Sequence, residues 1–146
     1  MLQKYSGTGA LSEKDINEIY SVIDIQLKRM SRQVTVDLEI VLQVCENLLA
    51  NAIRYAKTSV EVICKQDINY LLISVSDDGA GFKDDDIRIA TDPFYTTEKK
   101  SKGEHFGLGL NICKILCQRH EGDIILKNRK SGGASVTVSF GMKMEK

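Results

Sequence analysis

Proline occurs once in these 146 residues and histidine twice, and none of the four cysteines belongs to a CxxC pair. No apolar run approaches the ~20 residues of a membrane-spanning helix, and the N-terminus has no signal-peptide core, so no membrane contact by this segment is expected. Net charge is absent too: 20 basic and 20 acidic residues cancel. That balance excludes a nucleic acid or a membrane held by bulk electrostatics. Cys45, Cys64, Cys113 and Cys117 lie among apolar neighbours. A zinc site would show paired ligands at short spacing, so these thiols read as small buried hydrophobes in a reducing, cytoplasmic compartment. His105 and His120 alone limit what histidine chemistry is available. What remains is ordinary globular material, 42% hydrophobic and 27% charged, enough for one domain and too apolar for wholesale disorder.

Met1–Ala10 is small, polar and glycine-containing, and reads as a frayed start or linker. Ser12 and Asp15 signal a helix start, followed at helical spacing by Ile16, Ile19, Tyr20, Ile23 and Leu27. A short extended piece, Gln33–Val36, leads to Asp37, a candidate N-cap. Leu38, Val41, Leu42, Cys45, Leu48, Leu49 and Ala52 then predict an amphipathic helix of about five turns. After Lys57 the period falls to two. Val60, Val62 and Cys64 predict a strand, and Tyr70–Ser76 a second, more buried one that runs into Asp77-Asp78-Gly79-Ala80-Gly81. Lys83–Glu104 has no sustained period, many charges and the single proline, Pro93. Irregular connections of this length are commonly functional lids. A helix over Leu108–Arg119 and a hairpin formed by Asp123–Asn128 and Ala134–Phe140 complete the chain. The expected fold is an α/β (α+β) two-layer sandwich, a mixed, largely antiparallel sheet packed on about three helices.

Three polar clusters interrupt this pattern. Asn47, Asn51 and Arg54, at i, i+4 and i+7, share one face of the long helix, with Tyr55 beside Arg54. Asparagine is a poor helix former, so two on one face point to a ligand more than to solvent. Asp77 ends a buried strand, where a carboxylate is costly unless solvated or paired. Gly79 and Gly81 next to it allow positive φ and close approach of backbone. Gly103–Leu110 is a glycine-rich turn opening a helix, which presents free N–H groups and the positive end of the helix dipole to an anion. It is neither a Walker A loop nor a dinucleotide fingerprint. Each cluster alone has an ordinary explanation as solvated helix face, strand exit or turn.

In this order and spacing the clusters resemble the ATP-binding catalytic domain of bacterial sensor histidine kinases, in the gyrase, chaperone, histidine kinase and mismatch-repair superfamily. Glu46–Tyr55 looks like the N box and Asp77–Phe82 like the first glycine box. Asp92–Thr97 resembles the F box, Gly107–Leu110 the second glycine box, and Gly132-Gly133-Ala134 the last glycine motif. The resemblance runs from about Val36 to Phe140 and implies the Bergerat-type fold with a flexible ATP lid. It divides the chain into a linker and first helix, 1–35, and a catalytic domain, 36–146.

The resemblance also implies roles. Asn51 would ligate Mg²⁺, Asn47 would support the metal or the phosphates, and Arg54 would reach the phosphates. Tyr55 would pack against the base and Asp77 would accept the adenine amino group. Gly79 and Gly81 would let the chain pass the base, Phe94 would anchor the lid, and Gly107, Leu108 and Gly109 would shape its hinge and the phosphate contacts. Lys99, Lys100 and Lys102 read as solvated charges. Asp78 stands where the family usually has asparagine, a change expected to cost little. His105-Phe106 replaces the more usual start of the second glycine box, and the segment before Asp37 leaves little room for the family's first strand.

One position separates two mechanisms. The superfamily's ATPases carry a glutamate four residues before the metal asparagine, as the base that activates water. Here that residue is Asn47, and Glu46 lies about 100° around the helix. An amide cannot take the proton, so phosphoryl transfer to an imidazole is expected over hydrolysis, with ATP and Mg²⁺ as cofactors. Neither histidine fits the phosphoacceptor motif of the family, which lies in an upstream dimerisation hairpin. The expected partners are that hairpin, absent from these residues, and a response regulator, with the domain itself a monomer. The rival readings are a water-hydrolysing ATPase and a non-catalytic nucleotide-binding module.

Overall fold

The computed structural model describes residues 2–6, 17, 18, 21, 25, 34, 35, 37–92 and 109–144. In chain order the elements are β1 (Leu2–Ser6), β2 (Val34–Thr35), α1 (Leu38–Tyr55), β3 (Ser59–Gln66), β4 (Tyr70–Asp77), α2 (Gly109–Arg119), β5 (Ile124–Asn128), β6 (Ala134–Gly141) and β7 (Lys143–Met144). Asn17, Glu18, Ser21 and Ile25 are helical, within the first expected helix, whose remaining residues lie outside those described.

Strands β1-β3-β4-β6-β5 form one sheet, and β2 and β7 pair separately. Every described ladder is antiparallel, in line with the largely antiparallel sheet expected from sequence. The reason is connectivity: β3–β4 and β5–β6 are hairpins, and hairpins can only make antiparallel neighbours. The β3–β4 turn is closed by Asp67, whose Oδ1 accepts from the backbone N–H groups of Asn69 and Tyr70, both at 2.7 Å.

One correction concerns the N-terminus. Leu2–Ser6, read as frayed, pairs along β3 from Leu2 opposite Ile63 to Ser6 opposite Ser59. Local composition carries no strand signal there. The unpaired edge of β3 supplies the hydrogen-bond partners instead.

Alternation sets which side of the sheet is buried. Cys64, Ile73, Val138 and Ile124 lie in one cross-strand row, and Val62, Val75, Val136 and Leu126 in the next. The two helices close over this face. From α1 come Val41, Val44, Cys45, Leu48, Leu49 and Ala52, and from α2 come Leu110, Cys113 and Cys117, all in one core with the strands. The N-cap is Asp37, as expected, with Oδ1 accepting from Ile40 N at 3.2 Å. The opposite end of α2 closes as a Schellman turn, with Gly122 N donating to the Cys117 carbonyl at 2.8 Å and Glu121 N to that of Gln118 at 3.3 Å. Its left-handed position is occupied by Glu121, at φ 62°.

All four cysteines are buried and free. Burial pushes the Cys113 and Cys117 thiols up to about 12 and raises those of Cys45 and Cys64 as well. They are core residues, as their neighbours suggested. Among the described residues no helix is long and apolar enough to cross a membrane.

Candidate active site

The central strand β4 delivers Asp77 to the open end of the sandwich. The residue is only 4% exposed. Oδ1 accepts from Gly79 N at 2.8 Å and from Ala134 N at 3.4 Å, and among the described residues nothing donates to Oδ2. Burial raises the Asp77 pKa, and the two backbone N–H groups act against that rise. A desolvated carboxylate with one oxygen left over is costly in a fold that gains nothing from it.

The adjoining glycines bring the other elements up to this carboxylate. A Cβ on Gly79 would run into the Tyr55 carbonyl oxygen, so the last turn of α1 packs directly on the strand exit. Gly81 takes φ +77°, and a Cβ there would lie 2.7 Å from Asn128 Oδ1. The missing side chains make room for these protein neighbours. Asn128 meets Phe82 reciprocally, Oδ1 accepting from Phe82 N and Nδ2 donating to its carbonyl, both at 2.7 Å.

Asp78 turns the other way. Its Oδ1 accepts from the N–H groups of Lys57 (2.9 Å), Thr58 (3.0 Å) and Ser59 (3.1 Å), and Oδ2 accepts from the Thr58 hydroxyl. The Thr58 hydroxyl first, then the backbone donors, hold its carboxyl well below the usual carboxylate range. Asp78 ties the glycine segment to the turn between α1 and β3.

Asn47, Asn51, Arg54 and Tyr55 are all half-buried on α1, outside its fully buried stripe. The Arg54 guanidinium lies over the Tyr55 ring, 5.7 Å from its centroid. Asn47 faces Cys113 of α2 and pulls that thiol's pKa back down against burial, while Cys113 Sγ donates to the Val44 carbonyl at 3.7 Å. Gly109 opens α2. Asn111 Nδ2, two residues on, donates to the Thr91 carbonyl at 3.0 Å and ties the helix start to the segment entering the lid region. Phe94, Gly107 and Leu108, together with His105 and the lid lysines, lie outside the described residues.

The segments resembling the N box and the first glycine box therefore meet, Gly79 lying against the Tyr55 carbonyl. The family description "Histidine kinase-, DNA gyrase B-, and HSP90-like ATPase" matches residues 36–144. The chain belongs to this family. The sensor histidine kinase SpaK of Bacillus subtilis is 31% identical over 129 residues, which cover 84% of this chain and 28% of SpaK. The catalytic domain of the histidine kinase ThkA superposes with a TM-score of 0.65 at 19% identity, covering 97% of each chain. Full-length ShkA in complex with AMPPNP gives a TM-score of 0.63 at 20% identity, over 73% of this chain and 22% of ShkA. The likeness to ThkA and ShkA is one of fold. The chain spans less than a third of the length of the curated sensor kinases it matches.

Sequence reasoning missed Asn111, Asn128 and the weight of Asp78. Asn128 had a weak signal, a polar residue closing a strand before a turn. Its partner lies 46 residues away and leaves no trace in local spacing. Cys113 was read only as core, whereas it also lies against Asn47.

Proposed function

We propose that this chain is the ATP-binding catalytic domain of a two-component sensor histidine kinase, transferring the γ-phosphoryl of ATP to a histidine on a helical dimerisation hairpin. The observation that carries this reading is Asp77 Oδ2, a buried acceptor with no described donor. An adenine amino group is the donor it lacks; guanine would present a carbonyl and be rejected. Tyr55 would cover the base from the end of α1. Arg54, also on the last turn of that helix, would reach the phosphates.

Asn51 is the residue that would hold Mg²⁺. Among the described residues no three His, Cys, Asp or Glu side chains could cage a metal. A single amide oxygen on a rigid helix fits an ion that arrives with phosphates and keeps several waters. When bound, Mg²⁺ would neutralise charge developing on the transferred phosphoryl group. Asn47, whose neutral amide faces a thiol, cannot take a proton from water, so the chain's residues position ATP and leave nucleophilicity to the imidazole lone pair. His120 is not proposed as that imidazole, since it stands at the end of α2, where its carbonyl accepts from Gly141 N at 2.7 Å. The acceptor hairpin and a response regulator are the implied partners, with the catalytic unit proposed to span 36–146, monomeric on its own and facing the cytoplasm.

Calorimetry with Mg-ATP and the Asp77→Asn variant tests the base site, because an amide presents a donor to adenine's donor in half of its orientations. Unchanged affinity would sink the adenine assignment. Mixing the chain with its parent hairpin should yield acid-labile phosphohistidine. Steady phosphate release without it would identify a hydrolase, and binding with neither product a nucleotide-sensing module.

A further inference from the structure

The loop of the β5–β6 hairpin lies behind Asp77, and the proposed chemistry leaves its one arginine without a task. The loop is tightly closed: Arg129 N donates to the Gly133 carbonyl at 2.8 Å, and Gly132 N donates back to the Arg129 carbonyl at 3.1 Å. Gly133, at φ +92°, lies so close to the Asp77 carbonyl oxygen that a Cβ would collide with it. Arg129 Nη1 donates to that same carbonyl oxygen at 3.2 Å from a half-buried position. Together with the Asn128–Phe82 pair, the hairpin grips the base-recognition segment on both sides of its glycines. A guanidinium here is not a solvated surface charge. Its backbone closes the turn and its head donates to the backbone of the residue that would read the base.

We propose that Arg129 is a positioning residue for Asp77, fixing the strand end through its carbonyl and holding a positive charge beside the residue that would accept the adenine amino group. This deepens the nucleotide reading and rests on it. The groups acting on the Asp77 carboxyl are few: the N–H groups of Gly79 and Ala134, the negative Asp78 beside it, and Arg129 across the hairpin. Val60, opposite on β3, is apolar. Burial and Asp78 push towards the protonated form; the N–H groups of Gly79 and Ala134 oppose them most, and Arg129 adds the one described cation that does so. Removing its charge leaves burial and Asp78 with less opposition. A proton on Asp77 would fall on Oδ2, since Oδ1 already accepts from Gly79 and Ala134, and would turn the acceptor into a donor facing the adenine amino group.

The test uses the whole chain as Arg129→Met and Arg129→Lys. An NMR titration of ¹³C-labelled aspartate, without nucleotide, reads Asp77 directly; calorimetry with Mg-ATP at several pH values reads binding. In Arg129→Met, Asp77 is expected to titrate at higher pH than in the parent chain. ATP binding should weaken about three- to tenfold at the acid end of the series and recover as the pH is raised. Arg129→Lys should stay within about twofold of the parent, because the charge remains. An unshifted Asp77 titration in Arg129→Met overturns the proposal, as does a loss of affinity that is uniform across pH, the mark of a purely structural staple. A shifted titration in a chain that binds no ATP supports the role of Arg129 and overturns the nucleotide reading instead.

Discussion

Replacing Asp78 by alanine removes the tie between the glycine segment and the turn that follows α1. Four donors lose their acceptor: the backbone N–H groups of Lys57, Thr58 and Ser59, and the Thr58 hydroxyl. Summed as charge-assisted bonds at about 1.5–3 kcal/mol each, they would exceed the whole stability of many domains. That sum is the wrong one, because the turn at Lys57 and Thr58 is exposed and water takes over the freed donors. The closer comparison is loss of a helix N-cap, where one carboxylate also serves clustered N–H groups, at about 1–2 kcal/mol. For a chain of this size each kcal/mol lowers Tm by roughly 2–4 °C. Urea and thermal unfolding at neutral pH should therefore show a loss of about 1–2 kcal/mol. The folded-state pKa of Asp78 is depressed, so its contribution is full above the ordinary carboxylate value and disappears as pH falls through the folded value. The gap between parent and Asp78→Ala should accordingly narrow in acid. Asp78→Asn keeps one acceptor oxygen and should lose about half as much. A pH-independent gap, or one below about 0.5 kcal/mol at neutral pH, would refute the idea that this carboxylate clamps the segment.

Three further outcomes are expected. Asp77→Asn should be as stable as the parent chain or more so at neutral pH, by on the order of 1 kcal/mol, while losing ATP: the Asp77 pKa is raised, so its ionised form weighs against folding above the folded pKa, and the advantage should fade as pH drops towards the unfolded value. A marked drop in the Tm of that variant at neutral pH would contradict this. Glu121→Gly should raise stability by about 1 kcal/mol in urea titrations, because Glu121 holds a left-handed φ of 62° at the end of α2; a loss would show that its side chain does more than occupy the turn. The four buried thiols should resist an aromatic disulfide reagent at pH 8 until the chain unfolds, since Cys113 and Cys117 are pushed up to about 12; rapid labelling of any one of them in native protein would be inconsistent with this core.

Helices α1 and α2 and strands β3 to β6 were legible in the residues themselves. Period 3.6 from Leu38 and period 2 from Ser59 report burial directly, since a side chain's face follows from its position in the element. Asp37 is an N-cap because its local chemistry leaves few alternatives. By contrast, β1 has no periodic signal and exists because β3 has a free edge. The same holds for Asn128, Asn111 and Asp78, whose partners are 46, 20 and 19 to 21 residues distant.

The glycines mark the boundary most clearly. Their spacing around Asp77 and before α2, taken in order with the other motifs, carries the resemblance to these ATP-binding domains, because close backbone approach favours glycine. What approaches each one is a different matter. Gly79 meets the Tyr55 carbonyl, Gly81 meets Asn128, and Gly133 meets the Asp77 carbonyl. Those contacts form only once the sheet has brought β4, β6 and the end of α1 together. Whether Asp77 is a solvated turn residue or a buried carboxylate with one free oxygen is decided by the same assembly, since desolvation depends on every element packed around it and not on the residues beside it in the chain.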